Sequence, residues 1–226
     1  MKFIQTQSNV EVDFFYHTWT TDDLYNSNRE GRIDKNILIP TENVIDKLNK
    51  LYNPKKFSYD KQKIFDGDKY RNTIAWKNTE NKNKISNTLS QIYSRSKVRN
   101  LLLDYIKKNN VNYDCIITTR FDLLGDIKVN LNDIDLSKIY VNNYHKNRVL
   151  FDDNLMILPV EDYLKLFDLY NNLDNILNNK YIDSKMKLDN EKLQINMEQI
   201  ILAACYNNDI INKVIRTDLI WDNYII

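Results

Sequence analysis

Glycine is scarce in this chain: Gly31, Gly67 and Gly125 are the only three among 226 residues, and they lie far apart. Loops that cradle phosphates, such as GxxxxGK[ST] and the GxGxxG fingerprint, need closely spaced glycines because the backbone must approach the ligand. The spacing therefore excludes P-loop enzymes, kinases and ordinary dinucleotide-binding proteins. Neither a GxSxG nor an HExxH motif occurs, and only two histidines are present. Any chemistry must rely mainly on carboxylates.

The length and the charge balance narrow the class further. A chain of 226 residues with 42% hydrophobic and 12% aromatic side chains can bury a core and is short enough for one domain. Its 32 basic and 31 acidic residues leave a net charge of +1. That balance argues against a protein that mainly neutralises nucleic-acid phosphates. We expect no nucleic-acid partner, although the 15 tyrosines and the basic residues 95–108 would suit a single strand.

The sequence also carries expectations about the compartment. The longest uninterrupted apolar run covers residues 200–206, whereas a spanning helix needs about 20 such residues. No secretory signal is recognisable at the start of the chain. Cys115 and Cys205 lie in apolar segments and are too few and too far apart for a disulfide framework. We expect a cytoplasmic protein without a transmembrane segment.

The hydrophobic pattern predicts strands that alternate with helices. Strands are predicted over residues 10–16, 113–119, 138–142, 153–158 and 211–221. Helices are predicted over residues 44–51, 85–109, 159–177 and 193–206, where apolar residues recur along one face. Such alternation is typical of an α/β fold with a mostly parallel central sheet flanked by helices.

Two segments are predicted to lack regular structure. Residues 55–85 are charged and rich in asparagine, which favours a mobile loop or weak structure. Residues 178–191 are either a disordered insertion or a substrate-side loop, and their composition favours the first. No repeat and no Pro/Gly/Ser linker divides the chain. Residues 1–226 are therefore predicted to form a single domain.

Residues that follow the predicted strands are candidates for a site, because open α/β sheets bind ligands beyond the carboxyl ends of their strands. Arg120, Phe121 and Asp122 follow the most apolar strand, where a carboxylate can hold a divalent cation. A surface Arg–Asp pair is an equally weighted alternative. His17 and Trp19 follow another strand and can line a nucleotide or sugar pocket. A hydrogen-bonded structural histidine is the favoured alternative there.

Two further acidic positions are candidates. Asp152 and Asp153 precede the apolar residues 155–158 and are either solvated turn residues or partners of sugar hydroxyls. Glu198 begins a predicted helix, where the helix dipole favours an acid without any function. It would be a general base if the helix pointed its N-terminus into the pocket.

Several motifs carry a family resemblance. A helix with a Q-x-Y-S pattern, followed by Lys97, precedes a strand that ends in R-x-D, and an element of the form vDvFiHtW lies upstream. These are residues 90–94, 113–123 and 12–19, while residues 153–158 and 197–199 supply a D-x-h-x-h strand and a late acid. Together they resemble a group of GT-A-type glycosyltransferases from bacterial surface-polysaccharide loci, phages and large DNA viruses. The match spans roughly residues 10–205, and its R-x-D and HtW elements are the more specific parts.

The resemblance implies a GT-A-like nucleotide-diphospho-sugar transferase domain. Its reaction would move a sugar, of the hexosyl or deoxyhexosyl class, from a UDP- or GDP-sugar donor to a glycan or glycoprotein acceptor. It implies that Asp122 binds Mn²⁺ or Mg²⁺ and the donor diphosphate, which Lys97 or Arg95 would also meet. His17, Trp19 and Arg120 are implied as further donor-binding residues.

The same resemblance implies the catalytic groups and the location. Glu198 resembles the acid that removes the proton from the acceptor hydroxyl in inverting enzymes, and Asp153 is a rival for that role. If the chain is viral, its compartment would be the host cytoplasm.

Two departures from the group's pattern favour a second hypothesis. Arg120 occupies the first acidic position of the usual DxD motif, which leaves one carboxylate for the cation. Only nine residues precede Val10, so the strand–helix unit that usually opens a GT-A domain is expected to be absent or truncated. The alternative is a catalytically degenerate domain that binds a glycan or a partner protein.

Overall fold

The computed structural model describes residues 10–20, 43–61, 63–120, 123–127, 130–142, 151, 153–217 and 220–225. In these residues the strands are β1 (Phe15–Thr20), β2 (Lys56–Lys61), β3 (Ile116–Thr119), β4 (Leu123–Ile127), β5 (Ile139–Asn142), β6 (Leu155–Leu158), β7 (Val214–Thr217) and β8 (Ile220–Ile225). The α-helices are α1 (Val44–Tyr52), α2 (Ile74–Asn78), α3 (Ile85–Asn109), α4 (Val160–Leu166), α5 (Leu169–Leu177), α6 (Lys180–Leu188) and α7 (Met197–Asn207). The predicted α/β class is confirmed.

The strands form three small sheets. β1 and β2 pair in parallel, with Phe15 opposite Lys56 and Thr20 opposite Lys61. A second sheet has the order β3–β6–β5–β7, and β4 pairs with β8 in antiparallel fashion. The expected parallel pairing is seen for β1–β2 and β5–β7, whereas β6 runs antiparallel to both of its neighbours. An apolar strand pattern is compatible with either direction, and the chain connections decide between them.

Helix α3 contributes several residues to the candidate site described below. Its apolar residues Ile85, Leu89, Ile92 and Leu102 are buried, as the helical spacing predicts. The helix ends at Asn110, whose φ of 52° is left-handed, a conformation that asparagine tolerates at helix ends. α3 contacts β1, β2 and α5, so it joins the first sheet to the helical layer.

Helix α7 lies at the centre of the core. Residues 199–205 are all buried, which is expected for a helix that is apolar on every side. Its first turn is capped by Asn196, whose side chain accepts a hydrogen bond of 2.9 Å from the Gln199 N–H. Within the residues that the structure describes, no helix combines the length and the apolar character needed to cross a membrane.

Gly67 marks a close approach between two segments. A Cβ atom at this position would lie 2.6 Å from Cγ2 of Ile85, which is far inside van der Waals contact. The absence of a side chain therefore lets residues 63–70 pack against the beginning of α3.

The prediction of a loop over residues 55–85 is wrong. This stretch contains β2, whose side chains alternate between half-buried and exposed, and the short helix α2. Tyr70 and Ala75 are buried in the main core. The charged and polar residues of this stretch supply its exposed positions and do not prevent the others from packing.

The prediction of a disordered or loop segment over residues 178–191 is also wrong. Helix α6 begins after Asn179, whose side chain accepts hydrogen bonds from the N–H groups of Tyr181 and Ile182. Ile182 and Met186, four residues apart, are fully buried on one face. Two apolar anchors and a cap are enough to hold this polar sequence as a helix.

Several predicted elements have different boundaries. The strand expected over residues 211–221 is replaced by β7 (Val214–Thr217) and β8 (Ile220–Ile225), which belong to different sheets. The strand expected over residues 10–16 begins at Phe15 and continues to Thr20, because these residues pair with β2. The helix expected over residues 159–177 is broken into α4 and α5. At the break, the Ser96 hydroxyl donates to the Phe167 carbonyl and accepts from the Tyr170 N–H, which satisfies backbone groups that a continuous helix would pair internally.

Candidate functional site

One turn of helix α3, residues 93–97, contacts strands β1 and β3. On one side, Ser94 Oγ lies 3.1 Å from Nδ1 of His17 in β1. On the other side, the Arg95 guanidinium donates to Thr118 Oγ1 in β3 over 3.2 Å. This turn therefore brings residues of both strands into one neighbourhood.

His17 is held by two hydrogen-bond partners in a buried position. Nε2 of His17 lies 3.3 Å from Oδ2 of Asp60, and Nδ1 faces the Ser94 hydroxyl. An Nε2–H that donates to the carboxylate leaves Nδ1 to accept from Ser94. Burial lowers the pKa of His17, and the charges of Lys97 and Lys63 act in the same direction, while Asp60 opposes them. The imidazole is neutral at neutral pH.

Asp60 is the carboxylate on which this cluster converges. Its Oδ2 accepts a 2.7 Å hydrogen bond from the Tyr93 hydroxyl and lies 3.9 Å from Lys97 Nζ. The hydrogen bond from Tyr93 lowers the pKa of Asp60, and the bond with His17 adds to that effect against the desolvation of the carboxyl. Sequence analysis missed Asp60. The signal available was the alternation of residues 56–61, which indicates a strand and places Asp60 at its carboxyl end.

Aromatic rings surround the same cluster. The ring of Trp19 stacks on that of Tyr93, with centroids 5.5 Å apart and planes at 27°. Phe65 and Tyr170 contact other sides of Tyr93, at 5.5 Å and 5.3 Å between centroids. Lys63 Nζ lies 3.9 Å from the centre of the Tyr93 ring, a cation–π distance. The predicted site residue Trp19 thus belongs to an aromatic cluster that also includes Tyr93.

The second part of the site is an arginine–aspartate pair at the end of β3. The Arg95 guanidinium donates to the backbone carbonyl of Asp153 and lies 3.4 Å from Oδ2 of the same residue. Both side chains are largely buried, with 13% and 11% exposure. Burial lowers the pKa of Arg95, while the Asp153 carboxylate opposes that shift. Arg120 is close enough for its charge to act on Arg95 as well.

Two predicted groups are therefore engaged with each other. Arg95 was expected on the donor diphosphate and Asp153 as a rival general base. Their mutual contact gives Arg95 a structural role, since it fixes the end of β3 to the residues that precede β6. Lys97 follows Arg95 by two residues on α3, and Arg120 directly follows β3.

Glu198 lies in the first turn of α7 and is half-buried. Neighbouring residues of this turn contact α2 and the segment before α7. The Ile195 N–H donates to Thr79 Oγ1 over 2.8 Å, and Gln199 Nε2 donates to Glu191 Oε2 over 3.2 Å. The role of Glu198 as a base beside the donor residues stays a prediction.

The predicted cation site falls on Asp122, which lies outside the described residues, as do Phe121 and Asp152. Within the described part of the chain, no group of three or more His, Cys, Asp or Glu side chains is arranged to hold a metal ion. Asp153, the described acid nearest in sequence to β6, already faces Arg95. Metal binding at Asp122 stays a prediction.

Comparison with protein-family models, with curated proteins and with solved structures found no match to this chain.

Proposed function

We propose that this protein is a glycosyltransferase that moves a hexosyl or deoxyhexosyl group from a UDP- or GDP-sugar to a glycan or glycoprotein acceptor. The observation that supports it is that the α3 turn 93–97 contacts both β1 and β3. Along this turn lie His17, Trp19, Arg95 and Lys97, four of the residues that the family resemblance implies for donor binding. Trp19 and Asp60 lie near the carboxyl ends of the parallel strands β1 and β2, which is where open parallel sheets bind ligands.

The proposed donor contacts follow from the chemistry of these side chains. Lys97 and Arg120 supply positive charge for a diphosphate, and fixed charge aimed at a leaving group stabilises the transition state. Arg95 positions the end of β3 through Thr118 and Asp153. The rings of Trp19 and Tyr93 offer an aromatic surface for a nucleobase, a contact worth roughly 1–3 kcal/mol in other proteins.

The proposed reaction is a displacement at the anomeric carbon. Glu198, or Asp153 in its place, takes the proton from the acceptor hydroxyl, and the hydroxyl oxygen forms the new bond to the sugar. The bond between the sugar and the diphosphate breaks, and the nucleoside diphosphate leaves with the electron pair. A Mn²⁺ or Mg²⁺ ion at Asp122 would neutralise charge on that leaving group, as carboxylate oxygens suit either cation.

Donor binding is the first test. Calorimetric titration with UDP- and GDP-sugars in the presence of Mn²⁺ should give saturable heat with one of them. Lys97→Gln should weaken that binding by about tenfold, the effect of losing roughly one charge-assisted contact. Lys50→Gln removes the same charge from an exposed position on α1 and serves as the matched control. The absence of heat with every donor would overturn the proposal.

A second candidate function is a binding domain without catalysis. The observation in its favour is that Arg95 and Asp153, both expected to act on substrates, contact each other. The two functions differ in one measurement. A transferase releases free nucleoside diphosphate over time when donor and acceptor are both present, whereas a degenerate domain binds its glycan and releases none.

A further inference from the structure

A cleft of about 290 Å³ opens beside the aromatic cluster. It is lined by residues 63–66, 69 and 70, by Leu89 of helix α3 and by Tyr170 at the beginning of α5. The volume is at the lower end of the range for small-molecule pockets, roughly 300–1,000 Å³. It suits a single sugar ring better than a complete nucleotide sugar.

Three of the eight residues that line the cleft are aromatic. Phe65, Tyr70 and Tyr170 line it, and Tyr70 is buried with 2% exposure whereas Tyr170 is 40% exposed. Tyr70 is thus fixed in the core, and Tyr170 presents much of its ring to solvent. Aromatic rings combine an apolar face with a polar hydroxyl, which matches the apolar faces and hydroxyl edges of a pyranose.

Two lysine side chains line the cleft. Lys63 and Lys69 line it, both exposed, and the lining includes one acid, Asp66. Oδ1 of Asp66 already accepts a hydrogen bond of 2.8 Å from the Asp68 N–H. Asp174 also acts on Lys69, since its charge contributes to the raised pKa of that lysine behind the main cause, the hydrogen bond with Tyr70. The lining still carries one net positive charge.

The cleft is adjacent to the proposed donor site. Lys63 Nζ lies 3.9 Å from the centre of the Tyr93 ring, and the ring of Trp19 stacks on Tyr93 at 5.5 Å. Tyr170 contacts Tyr93 as well, at 5.3 Å. Phe65, which lines the cleft, also contacts Trp19 directly, with 6.0 Å between the ring centroids.

We propose that this cleft is the acceptor subsite of the transferase and that it takes a sugar carrying a carboxylate, that is, a hexuronate unit of an acidic glycan. The sugar ring lies against Tyr170 and Phe65, and the carboxylate pairs with Lys63 and Lys69. Charge complementarity selects an acidic over a neutral glycan, and the aromatic walls select a sugar over a bare anion. The role of the cleft as an acceptor subsite rests on the proposed transferase function, whereas the binding of an acidic sugar does not.

The test is a titration of the intact protein, without donor, by calorimetry. Trigalacturonate should bind, and maltotriose, a neutral sugar of the same length, should bind at least about tenfold more weakly. The Lys63→Gln/Lys69→Gln double variant should lose about tenfold or more in affinity for trigalacturonate. Rising salt should weaken the binding of the parent, because the lysines are exposed. Lys50→Gln should bind as the parent does.

Several outcomes would overturn the inference. If maltotriose binds as tightly as trigalacturonate, the lysine charges do not select the ligand. If inorganic phosphate at the same concentration as trigalacturonate displaces it fully, the cleft is a simple anion site. A loss of UDP- or GDP-sugar affinity in Lys69→Gln would assign the lysines to the donor. Failure of trigalacturonate to bind while a nucleotide sugar binds rejects this inference alone. If trigalacturonate binds and no donor binds, the transferase proposal is rejected and the cleft remains a binding site for an acidic sugar.

Discussion

His17 is a buried imidazole that contacts Asp60 and Ser94 and lies within reach of the charges of Lys63 and Lys97. Because burial places its pKa below the ordinary value of 6.5, the unfolded chain binds a proton there more readily than the folded protein does. The stability that follows is present above about pH 6.5 and is lost as the pH falls through the folded-state pKa. Asp60, with an ordinary value of 3.8, titrates at lower pH.

We expect His17 to make the free energy of unfolding fall as the pH is lowered from 7 toward 5. The chain has two histidines, so the effect is best isolated in a His145→Gln background. Urea denaturation at several pH values should show that adding His17→Gln flattens the dependence below about pH 6.5. If both proteins follow the same curve, His17 is not held neutral by burial.

Arg95 and Asp153 give a second prediction at this scale. Arg95→Met leaves the Asp153 carboxylate without its cation in a largely buried place and should cost about 3 kcal/mol of unfolding free energy. In a double-mutant cycle with Asp153→Asn, the coupling energy should be about 1 kcal/mol or more. Arg71→Met is the matched control, because Arg71 pairs with Asp68 at 2.7 Å with more than half of each side chain exposed. It should cost less than about 1 kcal/mol. Equal losses in the two variants would contradict the buried pair.

At the scale of the elements, a buried hydroxyl group can join two segments through its hydrogen bonds. Thr79 follows α2, and its Oγ1 donates to the Ala75 carbonyl and accepts from the Ile195 N–H just before α7. Thr79→Val keeps the shape and leaves the Ile195 N–H buried without an acceptor, which should cost about 1–3 kcal/mol in chemical denaturation. Thr79→Ser retains the hydroxyl and should lose less. A valine variant as stable as the parent would show that this bond does not hold α2 to the segment before α7.

The elements that the sequence predicts well are those whose signals are local. Helix α3 was predicted at residues 85–109 because its apolar face and the asparagine after it both act within a few residues. β2 and α6 were missed because their composition is polar, although each carries a weak pattern that the fold uses. In β2 the pattern is alternation, and in α6 it is the pair Ile182 and Met186. Composition is an average, and packing needs only a few correctly placed apolar side chains.

The candidate site follows the same rule. His17, Trp19 and Lys97 were predicted from motifs that are continuous in the chain, and the structure brings them together around Tyr93. Asp60 was not predicted, because its contact with His17 joins residues 43 positions apart. The pairing of Arg95 with Asp153, 58 positions apart, was equally out of reach. Contacts of this kind depend on strand register, which a single sequence does not reveal.

At the scale of the whole molecule, the proposed function assigns donor binding and sugar transfer to different residues, so that substitutions should affect them separately. Asp122→Asn is nearly isosteric and should change stability by about 1 kcal/mol or less. It should weaken the binding of Mn²⁺ and donor and lower the transfer rate by roughly 10²–10³. Glu198→Gln should leave donor and metal binding intact while transfer falls, since a base acts only on the acceptor. Calorimetry and nucleoside diphosphate release measure the two quantities. Undiminished donor and Mn²⁺ binding in Asp122→Asn would reject the site assignment.

The pairing of β5 with β7 has a consequence for how the protein is made. Strand β7 begins at Val214, 72 residues after β5 ends at Asn142. During synthesis, the edge of β5 that pairs with β7 stays open while α4 to α7 emerge from the ribosome. The packing around the central helix α7 is also incomplete until the residues that follow it have been made. An unpaired strand edge beside exposed apolar surface is a route to aggregation. Slow translation through residues 143–213 would therefore prolong the exposure of this edge and favour aggregation of the nascent chain.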